Sequence, residues 1–137
     1  MKLNKEVLQK MEDYQYGRLR LKSIAKEIET AQEMLELLKS FQIEVAPESF
    51  EAVNGYLNQL KIERAELSYK NHFVDDAIAA LPKKQQLLVK RRYVGRWKWD
   101  NIASQMHMGL TKCKELHCDA LDKIGEYLEK TVPQDME

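Results

Sequence analysis

The chain has 137 residues with 22 basic and 22 acidic side chains, so its formal net charge is zero, and it contains only five glycines and three prolines. The neutral balance argues against a strongly basic nucleic-acid-binding protein, and no apolar run approaches the ~18–20 residues that span a membrane. Few helix breakers, beside many Glu, Lys, Leu and Gln residues, predict an all-α protein.

The N-terminal half carries an apolar seam typical of a coiled coil or a helical hairpin. Its members recur at intervals of three and four residues, as one face of a helix does. They are Leu21, Ile24, Ile28, Ala31, Leu35 and Leu38. Asn4 is a candidate N-cap for this first helix, and Gly17 is a possible weak point inside it.

Pro47 interrupts the first helix, because it lacks an N–H and clashes with the preceding turn, and a second helix is predicted to begin at Pro47 or Ser49. The second seam has the same spacing: Phe50, Val53, Leu57, Leu60, Arg64, Leu67, Asn71, Val74 and Ile78. The polar members, Arg64 and Asn71, cost stability but can fix register or oligomeric state. Residues 1–80 are therefore predicted to form a long, coiled-coil-like antiparallel hairpin for oligomerisation or partner binding.

A hairpin that folds on itself buries one face only. A second apolar stripe then stays uncovered, made of Met34, Leu37, Phe41 and Tyr56. The seam can serve an intramolecular hairpin or a dimer interface, and the uncovered stripe favours a homodimer through residues 21–78.

Leu81-Pro82 ends this region, and three shorter helices are predicted after it. They run roughly over Lys83–Tyr93, Trp99–Met106 and Leu110–Glu129, and residues 131–137 are predicted to form a flexible tail. The second and third are separated only by His107-Met108-Gly109, and the small Ala103 allows close approach. This spacing predicts a helix-turn-helix in residues 81–130, whose last helix would lie in the DNA major groove.

Residues 81–130 also carry a sequence pattern that is more specific than the spacing of the helices. The positions that carry it are Leu81-Pro82, Arg92-Tyr93, Gly95, Trp99, Ile102-Ala103, Met108, Ala120-Leu121 and Ile124. They resemble region 4 of sigma-70-type factors and its phage relatives. A helical N-terminal half joined to this module is similar to the small phage late-gene transcription regulators of the ArpU/RinA type. The resemblance implies a regulator that binds promoter or operator DNA and contacts RNA polymerase.

By this resemblance, the exposed start of the recognition helix approaches bases and phosphates, with Thr111, Lys112, Lys114 and Glu115, and with His117 one turn further on. Lysines pair with phosphates or guanine, and a glutamate can accept from cytosine. The stretch from Lys83 to Lys98 contains seven basic residues and no acid, which predicts phosphate contacts that do not depend on sequence. Those contacts are assigned to Lys83, Lys84, Lys90, Arg91, Arg96 and Lys98. The chain departs from the family in having no Arg on the recognition helix.

Other chemistry-bearing residues are expected to be structural. Trp99 is predicted to pack in the core, Trp97 to pack in the turn, and Arg92 to pair with an acid of the domain. Cys113 and His117 are one helical turn apart, but without a Cys-x-x-Cys pair we predict no metal, and Cys113 is expected in the core.

Catalytic motifs are absent from the sequence. There is no nucleophile motif, phosphate-binding glycine loop or carboxylate set, so we predict no enzyme, no catalytic residue and no cofactor. Free thiols and the lack of a signal peptide predict a cytoplasmic protein.

The sequence thus predicts a phage or prophage transcriptional regulator that binds double-stranded DNA. Two other hypotheses stay open. One is a DNA-packaging recognition subunit similar to a small terminase, which would form a ring of many copies. The other is a helical interaction module that binds RNA polymerase or a sigma factor and does not bind DNA.

Overall fold

The computed structural model describes residues 2–40 and 47–133, and all regular structure within them is helical. The helices are α1 (Lys5–Ser40), α2 (Pro47–Ala79), α3 (Lys83–Val89), a π-helix (Lys90–Val94), α4 (Trp99–Gln105) and α5 (Leu110–Thr131). The all-α prediction is confirmed. Within the described ranges, no helix is both long enough and apolar enough to cross a membrane.

The ends of the helices follow the predicted signals closely. Oδ1 of Asn4 accepts a hydrogen bond from the backbone N–H of Val7 at 3.1 Å, so Asn4 does cap α1. Pro47 begins α2, and Pro82, with φ near −55°, immediately precedes α3. The predicted helix over Lys83–Tyr93 instead changes to a π-helix at Lys90, where the N–H of Gly95 bonds to the carbonyl of Lys90 at 2.9 Å.

The chain divides into two compact units. Unit 1 comprises Met1–Arg18 with Lys70–Glu137, and unit 2 comprises Leu19–Tyr69. This division differs from the predicted boundary at residue 80, because it falls inside α1 and α2. The physical reason is that the first turns of α1 and the last turns of α2 bury apolar side chains in the same core as the C-terminal helices.

Unit 1 has one continuous apolar core. Its buried members are Val7, Met11, Tyr14, Val74, Ala77, Ile78, Leu81, Leu88, Val89, Tyr93, Ile102, Ala103, Cys113, Ala120, Leu121, Ile124 and Leu128. Two close approaches between helices depend on glycine. A β-carbon on Gly125 would lie 2.8 Å from Cγ2 of Val7, and one on Gly17 would lie 2.9 Å from Nδ2 of Asn71. Gly17 therefore serves close packing and does not interrupt α1.

Unit 2 has a smaller core of the predicted seam residues: Ile24, Ile28, Ala31, Leu35, Leu57 and Leu60, with Phe50, Val53 and Leu67 packed against it. Arg20 joins its two helical segments, since its guanidinium donates to both carboxylate oxygens of Glu63 at 2.7 and 3.0 Å. The prediction that Arg64 lies on the seam is wrong, because this long charged side chain is exposed to solvent.

The second apolar stripe of unit 2 is exposed where the structure describes it. Met34, Leu37 and Tyr56 are 47%, 57% and 50% exposed. Phe41, the fourth member, lies outside the described residues.

Candidate nucleic-acid interface

The connection between α4 and α5 is a tight turn held by backbone hydrogen bonds. The N–H of Met108 donates to the carbonyl of Ala103 at 3.1 Å, and that of His107 to Ser104 at 3.2 Å. His107 has φ near 54°, in the left-handed region that non-glycine residues seldom adopt. Met108 packs against the unit 1 core, as expected for a residue that fills the gap between the two helices.

Helix α5 presents two different faces at its start. Cys113 is completely buried, which confirms its predicted place in the core. Thr111, Lys112, Lys114 and Glu115 are all exposed. The first turns of α5 therefore offer two ammonium groups, a hydroxyl and a carboxylate to solvent while the helix is anchored from behind.

His117 does not belong to this exposed set. Only 5% of it is exposed, its Nε2 lies 2.7 Å from the hydroxyl of Tyr93, and the edge of its ring meets Trp99. Burial, and secondarily the charge of Arg92, lowers the pKa of His117 to about 4. The predicted contact of His117 with a duplex is incompatible with this burial. The signal was in the sequence, since His117 lies one helical turn from the buried Cys113.

The basic residues from Lys83 to Lys98 divide between solvent and structure. Lys83, Lys84, Lys90, Arg96 and Lys98 are exposed, whereas Arg91 and Arg92 are partly buried. Arg92 donates from Nη1 to the carbonyl of Trp97 at 3.0 Å, and its guanidinium lies 4.7 Å from the centre of the Trp99 ring. It is therefore structural as predicted, but its partners among the described residues are a carbonyl and an aromatic ring, and not an acid.

A second arginine stacks on a second tryptophan in the same turn. The guanidinium of Arg91 lies 5.0 Å from the centre of the Trp97 ring, and the N–H of Trp97 donates to the carbonyl of Arg91 at 2.9 Å. Gly95 makes room for this ring, because a β-carbon there would lie 2.9 Å from Cδ1 of Trp97. The sequence signal that could have revealed both pairs is two adjacent arginines followed by two tryptophans with one residue between them.

Two of the predicted phosphate-binding residues line one cleft. Arg96 and Lys114 lie in the wall of a cavity of about 600 Å³, together with Arg92, Tyr93, Trp99 and His117 from the same module. Glu12, on α1, is an acidic member of the lining. Arg96 has φ near 60°, so the backbone holds it in a conformation that L-residues seldom adopt. Lys90 and Arg91 line a different cavity of unit 1, and Lys83, Lys84, Lys98 and Lys112 line neither.

A polar network that the sequence did not reveal joins the buried Gln85 of α3 to the exposed Asp119 and Lys123 of α5. Nε2 of Gln85 donates to Oδ2 of Asp119 at 2.6 Å, and Nζ of Lys123 donates to Oε1 of Gln85 at 3.1 Å. The hydrogen bond from Gln85, and then the contact of Lys123 Nζ with Oδ2 of Asp119 at 3.1 Å, lower the pKa of Asp119. The network orients the helix that carries Thr111, Lys112 and Lys114.

Within the described residues, no group of three or more His, Cys, Asp or Glu side chains is placed to hold a metal ion. Compared with known proteins, the chain matches no family model, no curated protein and no solved structure.

Proposed function

We propose that this protein is a DNA-binding transcriptional regulator that reads double-stranded DNA with the start of α5. The observation that carries the proposal is the exposure of Thr111, Lys112, Lys114 and Glu115 on a helix whose opposite face is buried through Cys113. Two lysines in this setting can bind phosphates or guanine, and a neighbouring carboxylate can accept from cytosine. The helix-turn-helix, the phage or prophage origin and the contact with RNA polymerase are part of this proposal and rest on the sigma region 4 resemblance.

The exposed cations outside α5 support a backbone-binding role. Lys83, Lys84, Lys90, Arg96 and Lys98 come from an acid-free stretch of the sequence, and all five are exposed. Phosphate contacts of this kind supply affinity without sequence preference and weaken as salt rises. Specificity is then assigned to α5, and general affinity to these five residues.

The architecture proposed with this function is an N-terminal hairpin followed by the DNA-binding module. The exposed stripe of Met34, Leu37 and Tyr56 supports self-association through residues 21–78. A dimer would match an operator made of two half-sites, and the protein would act in the cytoplasm of a bacterial host.

Selection from a pool of random duplexes at two salt concentrations tests the proposal. We expect one sequence to be enriched, and its affinity to fall as salt rises. The double variant Lys112→Ala with Lys114→Ala is expected to lose the enrichment and to reduce the salt dependence by about one phosphate contact per lysine. The matched control is Lys61→Ala with Lys130→Ala, which removes two exposed lysines elsewhere and should bind as the wild type does.

The other outcomes separate the competing hypotheses. Absence of binding at low salt contradicts the proposal and favours a module that binds only protein. Specific binding by a ring of many copies, measured by light scattering, favours a DNA-packaging subunit.

A further inference from the structure

Arg91 lies in the wall of a second cavity in unit 1 and has two buried nitrogens without a hydrogen-bond partner among the described residues. This cavity, of about 390 Å³, is lined by Tyr14, Arg18, Asp75, Ile78, Leu87, Lys90, Arg91, Val94, Gly95 and Trp97. Nε and Nη1 of Arg91 are shielded from solvent and have no hydrogen-bond acceptor among the described residues. The adjacent Arg92, by contrast, donates to a carbonyl.

An unpartnered guanidinium is costly to bury. Arg stays charged at every physiological pH, and nearly all buried donors in folded proteins have an acceptor. The cation–π interaction with Trp97 stabilises the charge of the Arg91 guanidinium through its face. The N–H groups at the edge of the guanidinium form no hydrogen bond with this ring. Two of the three guanidinium nitrogens of Arg91 therefore lack an acceptor among the described residues.

The charges around this cavity favour an anion. Arg18, Lys90 and Arg91 bring three positive charges, and Asp75 is the only acid among the described residues of the lining. The Asp75 carboxylate already accepts a hydrogen bond from the hydroxyl of Tyr14 at 2.5 Å. No acid lies between Lys83 and Lys98, so the local sequence offers Arg91 no carboxylate.

We infer that Arg91 is the centre of an oxyanion-binding site in this cavity, with Arg18 and Lys90 as the other cationic contacts and phosphate as the ligand chemistry. A phosphate oxygen supplies the acceptor that Arg91 lacks, with the strength of a charge-assisted hydrogen bond. Leu87 and Lys90 are exposed members of the lining, so a ligand can enter this cavity from solvent. The inference does not depend on DNA reading by α5, since Lys112 and Lys114 do not line this cavity.

Calorimetric titration with inorganic phosphate, against chloride at equal ionic strength, tests the site. We expect the wild type to bind phosphate and to melt at a higher temperature in its presence. Arg91→Met is expected to weaken phosphate binding about tenfold or more, because it deletes the charged donors but keeps an apolar side chain on Trp97. Arg64→Met, which removes the same charge from an exposed residue of unit 2, should bind phosphate as the wild type does.

Substitution of Asp75 tests the contribution of charge to phosphate binding in this cavity. Asp75→Asn removes the carboxylate of Asp75 from the lining, so phosphate should bind more tightly to this variant than to the wild type. Equal melting temperatures in phosphate and chloride would overturn the inference, and so would a phosphate effect that persists in Arg91→Met.

Duplex binding in the two buffers separates the two sources of phosphate. If the ligand is a DNA backbone phosphate, inorganic phosphate competes with the duplex, and Arg91→Met weakens duplex binding. If the ligand is a free phosphate or phosphate ester, duplex binding by Arg91→Met equals that of the wild type, while the calorimetric effect of phosphate is still lost.

Discussion

Asn71 lies against Gly17, at a place where α1 and α2 are so close that no β-carbon fits. A β-carbon on Gly17 would come within 2.9 Å of Nδ2 and 3.0 Å of Oδ1 of Asn71. The amide of Asn71 is buried and donates to the carbonyl of Tyr14 at 3.4 Å. This polar residue of the seam thus fixes how α2 meets α1 within unit 1.

We expect Gly17→Ala to destabilise the protein by about 1–3 kcal/mol, because the new methyl group overpacks the buried amide. Gly55→Ala is the matched control: nothing lies within 4 Å of its β-carbon position, so the better helix propensity of Ala should add about 0.5–1 kcal/mol. Urea unfolding measures both. In an Asn71→Ala background, Gly17→Ala should cost less, and an unchanged cost would contradict direct contact between the two residues.

The buried His117 should make stability depend on pH. Its pKa is lowered from 6.5 to about 4, so the unfolded chain binds a proton that the folded protein does not. The resulting stability is fully present above about pH 6.5 and is lost as the pH falls towards 4, on the order of 3 kcal/mol in total. Urea unfolding at pH 7 and pH 5 should show a smaller loss for His117→Gln than for the wild type.

An NMR titration of His117 with a midpoint near 6.5 would contradict the structure.

The ion pair between Arg20 and Glu63 in unit 2 should be visible in the titration of the Glu63 carboxyl group. Hydrogen bonding to Arg20 lowers the pKa of Glu63, so the pair contributes stability above the ordinary glutamate range and loses it as the pH falls. An NMR titration should place Glu63 below a typical glutamate, and Arg20→Gln should return it to the ordinary value. A normal Glu63 in the wild type would show that the two side chains do not pair.

Arg92 should matter for stability far more than its exposed neighbour Lys98. Arg92→Ala removes a hydrogen bond to the carbonyl of Trp97 and the cation over Trp99, so we expect a loss of about 1–3 kcal/mol and a shift in tryptophan fluorescence. Lys98→Ala should change stability by less than about 0.5 kcal/mol. Equal effects of the two substitutions would mean that Arg92 is a surface residue.

Local patterns predicted most of the helices. The spacing of Ile24, Ile28, Leu57 and Leu60 identified the core of unit 2, and the Asn4 cap and the proline breaks were correct to within a residue or two. Such features depend on neighbours along the chain, so the sequence contains them directly.

Contacts between distant segments could not be predicted in the same way. The apolar residues Val7, Met11 and Tyr14 fit a hairpin as well as they fit the core of the C-terminal module, and spacing alone does not choose between these partners. The predicted contact of His117 with DNA followed from its place one turn beyond the exposed residues, although its position relative to Cys113 put it on the buried face. Whether the nitrogens of Arg91 have hydrogen-bond acceptors depends on the three-dimensional position of every nearby acceptor, which the sequence does not contain.

The contact between Val7 and Gly125 affects the order in which the two units can fold during translation. Residues at the start of α1 leave the ribosome long before α5, against which they pack, has been synthesised. Val7 and Met11 therefore stay without their native partners while most of the chain is translated, whereas unit 2 brings together segments that are close in sequence. Unit 2 can form first, and the core of unit 1 closes only after α5 has emerged.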